Sequence, residues 1–143
     1  MSSQLRVDKI IPVDGVPTGG GGGIIQVVQT IKKDQFTTAN NTSNYTDITG
    51  LSATITPKFN TSKIMVECHI YNSNSNAVNF FRVLRGSTFI EQPSGTSSSG
   101  ASYNAHAFAY YNADNWQDST IIEILDSPGT DSATTYKVQG GVT

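Results

Sequence analysis

The sequence predicts an all-β chain: an antiparallel β-sandwich or jelly roll preceded by an extended N-terminal arm. Three observations carry this. Apolar residues recur with a period of two, since Ile64, Val66, Cys68 and Ile70 alternate with Lys63, Met65, Glu67 and His69, and Leu51, Ala53 and Ile55 alternate with Ser52, Thr54 and Thr56. Turn-forming residues punctuate the chain at intervals of about ten. No long segment places apolar side chains at helical spacing without an interrupting Gly or Pro.

Residues 1–18 carry the apolar side chains Leu5, Val7, Ile10, Ile11, Val13 and Val16, while Pro12, Gly15 and Pro17 forbid a continuous helix. Such a segment cannot bury its own apolar groups, so it is expected to be an arm that docks along another surface. Residues 19–23 are five consecutive glycines, read as a flexible linker. A phosphate-cradling loop is the alternative. It would need a preceding strand, a Gly-Lys-Ser/Thr ending and a following helix, and none is visible.

Residues 24–143 are expected to form the sandwich domain. Beyond the two alternating segments, strands are expected at 24–31, 79–85, 88–91, 103–111, 119–125 and 134–138, which are rich in Ile, Val, Thr, Tyr and Phe. Thr49-Gly50, the Asn-rich run 72–76, Arg85-Gly86, and residues 93–100 and 126–130 supply the turns. About seven to nine short strands with such spacing is a sandwich pattern. Residues 94–100, Ser-Gly-Thr-Ser-Ser-Ser-Gly, read as a solvated loop.

Composition narrows the function. The 143 residues are 36% hydrophobic and 14% charged, with a formal net charge of -2. Ser, Thr and Asn make up about 30% of the chain, so the surface is polar but sparsely charged. A chain with this balance lacks the basic footprint that phosphate backbones require, so no nucleic-acid partner is expected. No run of apolar residues is long enough to cross a bilayer as a helix, and no N-terminal apolar region reads as a secretion signal; no membrane insertion is expected. Cys68 is the one cysteine, which excludes a disulfide within the chain and a Cys-rich zinc site; it reads as a small buried hydrophobe, and no cofactor or metal is expected.

Catalytic chemistry finds little footing. Only His69 and His106 could act as imidazole bases, and no Gly-x-Ser-x-Gly elbow occurs. Glycoside hydrolysis would need two carboxylates at a defined separation, drawn from Glu67, Glu91, Asp114, Asp118, Glu123, Asp126 and Asp131; spacing in the sequence singles out no pair. The densest recognition chemistry is residues 110–118, in which Tyr110, Tyr111, Asn112, Asp114 and Trp116 mix aromatic faces with amides and carboxylates. Such mixtures stack on sugar C–H patches while satisfying hydroxyls. The competing role for Trp116 is packing at a loop base or a subunit interface.

The block Leu5-Arg6-Val7-Asp8-Lys9-Ile10-Ile11-Pro12-Val13-Asp14-Gly15-Val16-Pro17, followed by glycines and Ile24-Ile25-Gln26-Val27-Val28, resembles the fibre and virion-appendage proteins of tailed phages from aquatic bacteria, particularly cyanophages. The resemblance continues through Tyr45-Thr46-Asp47-Ile48-Thr49-Gly50-Leu51, Ser62-Lys63-Ile64-Met65-Val66, Phe81-Arg82-Val83-Leu84-Arg85-Gly86 and Leu125-Asp126-Ser127-Pro128. These are strand and turn residues, so they specify an architecture rather than an activity. The resemblance implies a non-enzymatic virion subunit: a homotrimeric, C1q/TNF-like sandwich knob joined through its arm to a capsid, portal or tail and displayed for host-surface attachment, with a host glycan as one target. Family members continue beyond Lys137-Val138-Gln139 with a glycine-rich turn and two further strands, so the expectation is that these 143 residues omit a C-terminal piece; as a whole domain they would leave a long unpaired edge. A soluble carbohydrate-binding lectin and a polysaccharide depolymerase are the alternatives.

Overall fold

The computed structural model describes residues 24, 26–39, 44–75, 77–90, 105–111 and 116–143. They contain seven strands: β1 (Thr46–Ile55), β2 (Ile64–Asn74), β3 (Val78–Arg85), β4 (Thr88–Phe89), β5 (Ala107–Tyr110), β6 (Trp116–Asp126) and β7 (Thr134–Val142). No helix occurs among the described residues. In the larger, five-stranded sheet β7 lies between β1 and β3, and both β4 and β5 pair with β3; β2 and β6 form a second, two-stranded sheet. All pairings are antiparallel, so the chain is the all-β antiparallel fold its periodicity predicts.

The alternation becomes a core because opposite faces of each strand meet different surroundings. From β2 and β6, Ile70, Ile122 and Ile124 turn inward, with Ile64, Val66 and Cys68 packed beside them; from the larger sheet come Ile48, Phe81, Val83, Tyr136 and Val138. Removing each large apolar side chain from water contributes about 1.5–3 kcal/mol, and this shared cluster is what holds the two sheets together. Val83 is fully buried at its centre. β1 slips register against β7 between Asp47 and Ser52, and Gly50 within that interval adopts φ 85. The irregularity lets both Ile48 and Leu51 reach the core from one strand.

The structure departs from the sequence expectation at both ends. Residues 24 and 26–31 form no strand: they are exposed, and Thr30 Oγ1 donates to the Ser52 carbonyl of β1 at 2.8 Å. Their composition favours extended backbone, but a strand requires a ladder, and β1 forms its ladder with β7 alone among the described residues. At the other end, the expected strand at 134–138 continues to Val142, and β7 is paired on both sides, to β1 and β3. The expected unpaired edge is therefore not on this strand. Among the described residues the long open edges belong to β1 in the larger sheet and to β2 and β6 in the smaller one.

Candidate functional site

The docking residues expected in the arm, Leu5, Val7, Ile10, Ile11, Val13 and Val16, lie outside the described residues, as do Asn112 and Asp114. Trp116 is placed by its backbone, opposite Asn74 at the start of β6. The expected aromatic cluster is divided where the structure does describe it. Tyr110 is exposed, whereas Tyr111 is buried to 3%. Neighbouring residues at a strand end point to opposite faces, so Tyr111 turns into the sandwich and cannot join Tyr110 in a surface contact.

Tyr111 instead belongs to a polar knot between the sheets. Its hydroxyl donates to Asn72 Oδ1 at 2.6 Å, the Asn79 amide donates to the same oxygen at 3.1 Å, and Asn72 Nδ2 donates to Thr120 Oγ1 at 3.0 Å. Burial, and after it the charge of Asp118, raises the Tyr111 hydroxyl's pKa above its ordinary value. A second polar clamp, built on β3, β6 and β7, joins the sheets. There Arg85 Nη1 donates to both oxygens of Asp126 at 2.8 and 2.7 Å, and the Tyr136 hydroxyl donates to Asp126 Oδ2 at 2.6 Å. Burial raises the Tyr136 hydroxyl's pKa, and the Asp126 bond adds to the shift. Asp126, a candidate catalytic acid on sequence grounds, is thereby a structural group.

The outer face of the larger sheet has a polar part and an apolar part. Asp47 accepts from Lys137 at 2.8 Å and from Gln139 at 2.6 Å; Gln139 accepts from Arg82 at 2.7 Å, and the Arg82 guanidinium lies 4.0 Å from the Tyr45 ring centroid. The bond from Lys137, then that from Gln139, holds the Asp47 carboxyl below its usual pKa. Burial pushes the Tyr45 hydroxyl up to about 12. Towards β5 the chemistry changes. Phe80 pairs with Gly141 on one side and Phe108 on the other, and the Phe80 and Phe108 rings stand 6.3 Å apart. Phe80 is covered, but Phe108 and Tyr110 are 69% and 66% exposed. Tyr110 of this surface was a candidate contact from sequence, whereas Phe80 and Phe108 were missed. Their signal was the adjacent apolar pairs Phe80-Phe81 and Val83-Leu84, since neighbours that are both buried mark a strand covered on both faces.

The smaller sheet's outer face bears Met65, Tyr71, Ile121 and Leu125, all exposed. Between them Glu67 stands opposite Glu123, and His69 shares a 2.6 Å contact with Glu67. His106 lies on the other sheet, where its Nδ1 accepts from the Val83 N–H at 2.9 Å and its ring meets Phe89 at 4.4 Å. It serves as an acceptor at a strand edge. Cys68 is partly buried, and burial, with the charge of Glu67, pushes its thiol up to about 11. Among the described residues no group of three His, Cys, Asp or Glu side chains is placed to hold a metal, and no helix is long and apolar enough to cross a membrane.

The fold and surface together define an all-β, two-sheet chain whose larger sheet carries an exposed aromatic surface. No family model matches it, and neither a curated protein nor a solved structure matches it significantly.

Proposed function

We propose that this chain is a non-enzymatic, self-associating structural subunit of a phage virion, a fibre or decoration protein. In this reading residues 1–18 dock on the capsid, portal or tail, residues 19–23 link, and the sandwich is displayed for host-surface attachment as a homotrimer. The sequence blocks quoted above support the virion role. The structural observation that carries self-association is the exposed pair Phe108 and Tyr110 beside Phe80. Large aromatics grouped on a sheet face favour a protein partner, because their burial recovers hydrophobic free energy. The strand order β1-β7-β3-β5 facing β2-β6 supports a jelly-roll connection. Three copies on one particle would multiply a weak attachment by effective concentration.

The test compares the full chain with residues 24–143 in sedimentation and in binding to particles lacking the protein. Trimers from both, with only the full chain joining particles, support the proposal. A monomer that binds glycan with or without residues 1–23 points to a soluble lectin, the second reading, which the exposed Tyr110 ring favours. Release of reducing sugar from a host polysaccharide would point to a depolymerase.

A further inference from the structure

Of the three long edges open among the described residues, those of β1, β2 and β6, one is suited to pair again. β1 slips register between Asp47 and Ser52, and the Ser52 carbonyl already accepts from Thr30. Such irregularities blunt an edge. β6 carries Asp118, Glu123 and Asp126 and no cation, so two β6 edges side by side would gather negative charge. β2 has neither device. It runs against β6 from Ile64 to Asn74 without a slip, and it holds no Pro, Lys or Arg. Its inward side chains Val66 and Cys68 pack against the core but stay partly exposed, whereas their β6 partners Ile124 and Ile122 are each 4% exposed. The core is thus least covered on the β2 side, where a further strand would lie.

We propose that β2 pairs antiparallel with β2 of a second copy across a two-fold axis at Cys68, joining the two smaller sheets into one of four strands, β6-β2-β2-β6. The strand is self-complementary about that residue. With the axis there, Glu67 faces His69 of the second copy, Met65 faces Tyr71 and Val66 faces Ile70, and each contact occurs twice. The outward pairs match an acid with an imidazole and a thioether with an aromatic ring, while the inward pair is aliphatic and extends the core. Glu67 gains most, because within its own chain it stands directly opposite Glu123. Lys63 falls opposite Ser73, so no like charges face each other across the join. Neighbouring registers lose the match. An axis at Glu67 sets that carboxylate against its own copy, and an axis at His69 sets Val66 against Asn72, which is tied to the Tyr111 hydroxyl. The occupant is a second copy because one sequence supplies both halves of each pair. The contact goes beyond the trimer proposed above: two-fold axes added to a three-fold ring close a hexamer.

The experiment sediments the full chain and its Phe108→Ser variant, which removes the aromatic contact assigned to the trimer. Glu67→Lys and Glu67→Lys/His69→Glu are then added to Phe108→Ser, with far-UV circular dichroism as the check on folding. The Phe108→Ser chain is expected to sediment as a dimer of the 15.3 kDa chain. Glu67→Lys is expected to raise the dissociation constant of that dimer about tenfold, and the paired substitutions to restore it, because an acid and a base face each other again. Hydrogen exchange is the second readout: β2 amides are expected to gain protection as concentration rises, and β6 amides are not. If Phe108→Ser fails to fold, the β2 variants are read in the wild-type chain, where Glu67→Lys is expected to turn a hexamer into a trimer. An oligomeric wild type whose Phe108→Ser variant is monomeric overturns the β2 contact and leaves the trimer standing. A dimeric wild type unchanged by Phe108→Ser supports the β2 contact and overturns the trimer. A dimer indifferent to Glu67→Lys, or protection that rises on β6 instead of β2, overturns the β2 contact. A monomeric wild type overturns both.

Discussion

One Arg85 nitrogen, Nη1, reaches both carboxylate oxygens of Asp126, at 2.8 and 2.7 Å, and so ties β3 of one sheet to β6 of the other. The Asp126 side chain is 8% exposed and that of Arg85 30%, so neither charge is well solvated in the absence of its partner. Asp126→Asn leaves the guanidinium without its counter-charge and weakens the Tyr136 bond. It is expected to destabilise the chain by about 3 kcal/mol, the lower end for breaking a buried pair. Urea unfolding of the single variants and of Asp126→Asn/Arg85→Met measures this, and a double variant no less stable than Asp126→Asn alone is the expected sign of coupling.

Tyr110 and Tyr111 are adjacent in sequence and opposite in role. Tyr111→Phe removes the hydroxyl that bonds Asn72 Oδ1 at 2.6 Å and is expected to cost about 1–2 kcal/mol. Tyr110→Phe removes an exposed hydroxyl and is expected to change stability by less than about 0.5 kcal/mol. Equal costs would contradict the alternation of their side chains.

Tyr45, Tyr111 and Tyr136 all keep their protons more tightly in the folded chain, Tyr45 up to about 12. The unfolded chain releases these protons near the ordinary tyrosine value of 10.0. Above that value the folded state therefore binds more protons than the unfolded one, and stability falls as pH rises. The contribution is fully present below the unfolded value and is lost on the alkaline side. Urea midpoints at about pH 8 and about pH 11 test this, and Tyr45→Phe is expected to flatten the decline.

Cys68 is expected to react slowly. With its thiol pushed up to about 11, the thiolate at mildly alkaline pH is scarcer than in a free cysteine by about two orders of magnitude. Labelling with an aromatic disulfide reagent should accelerate by at least that factor in urea. Equal rates in buffer and urea would show that the β2 side chain is open to solvent.

Much of the fold was legible in the sequence because a strand forces alternate side chains to opposite faces. The run from Ile64 to Ile70 therefore announced β2 and its buried face, and Ser-, Thr-, Asn- and Gly-rich turns bounded the strands around it. The expected surface contact at 110–116 was legible only in part: the aromatics were visible, but which face each would take depends on where β5 begins.

Local pattern determined that the chain would be built of strands, and the tertiary structure decided which strand lies beside which. Thr54 and Thr135 share a 2.7 Å hydrogen bond across 81 residues of sequence, and no periodicity encodes such a pairing. The same long-range docking made Asp126, a candidate catalytic acid on sequence grounds, part of a buried clamp, left 26–31 without a ladder, and gathered Phe80 and Phe108 on one face. Side-chain alternation is a property of neighbouring residues, whereas sheet order is set by which assembly buries the most apolar surface while satisfying its polar groups.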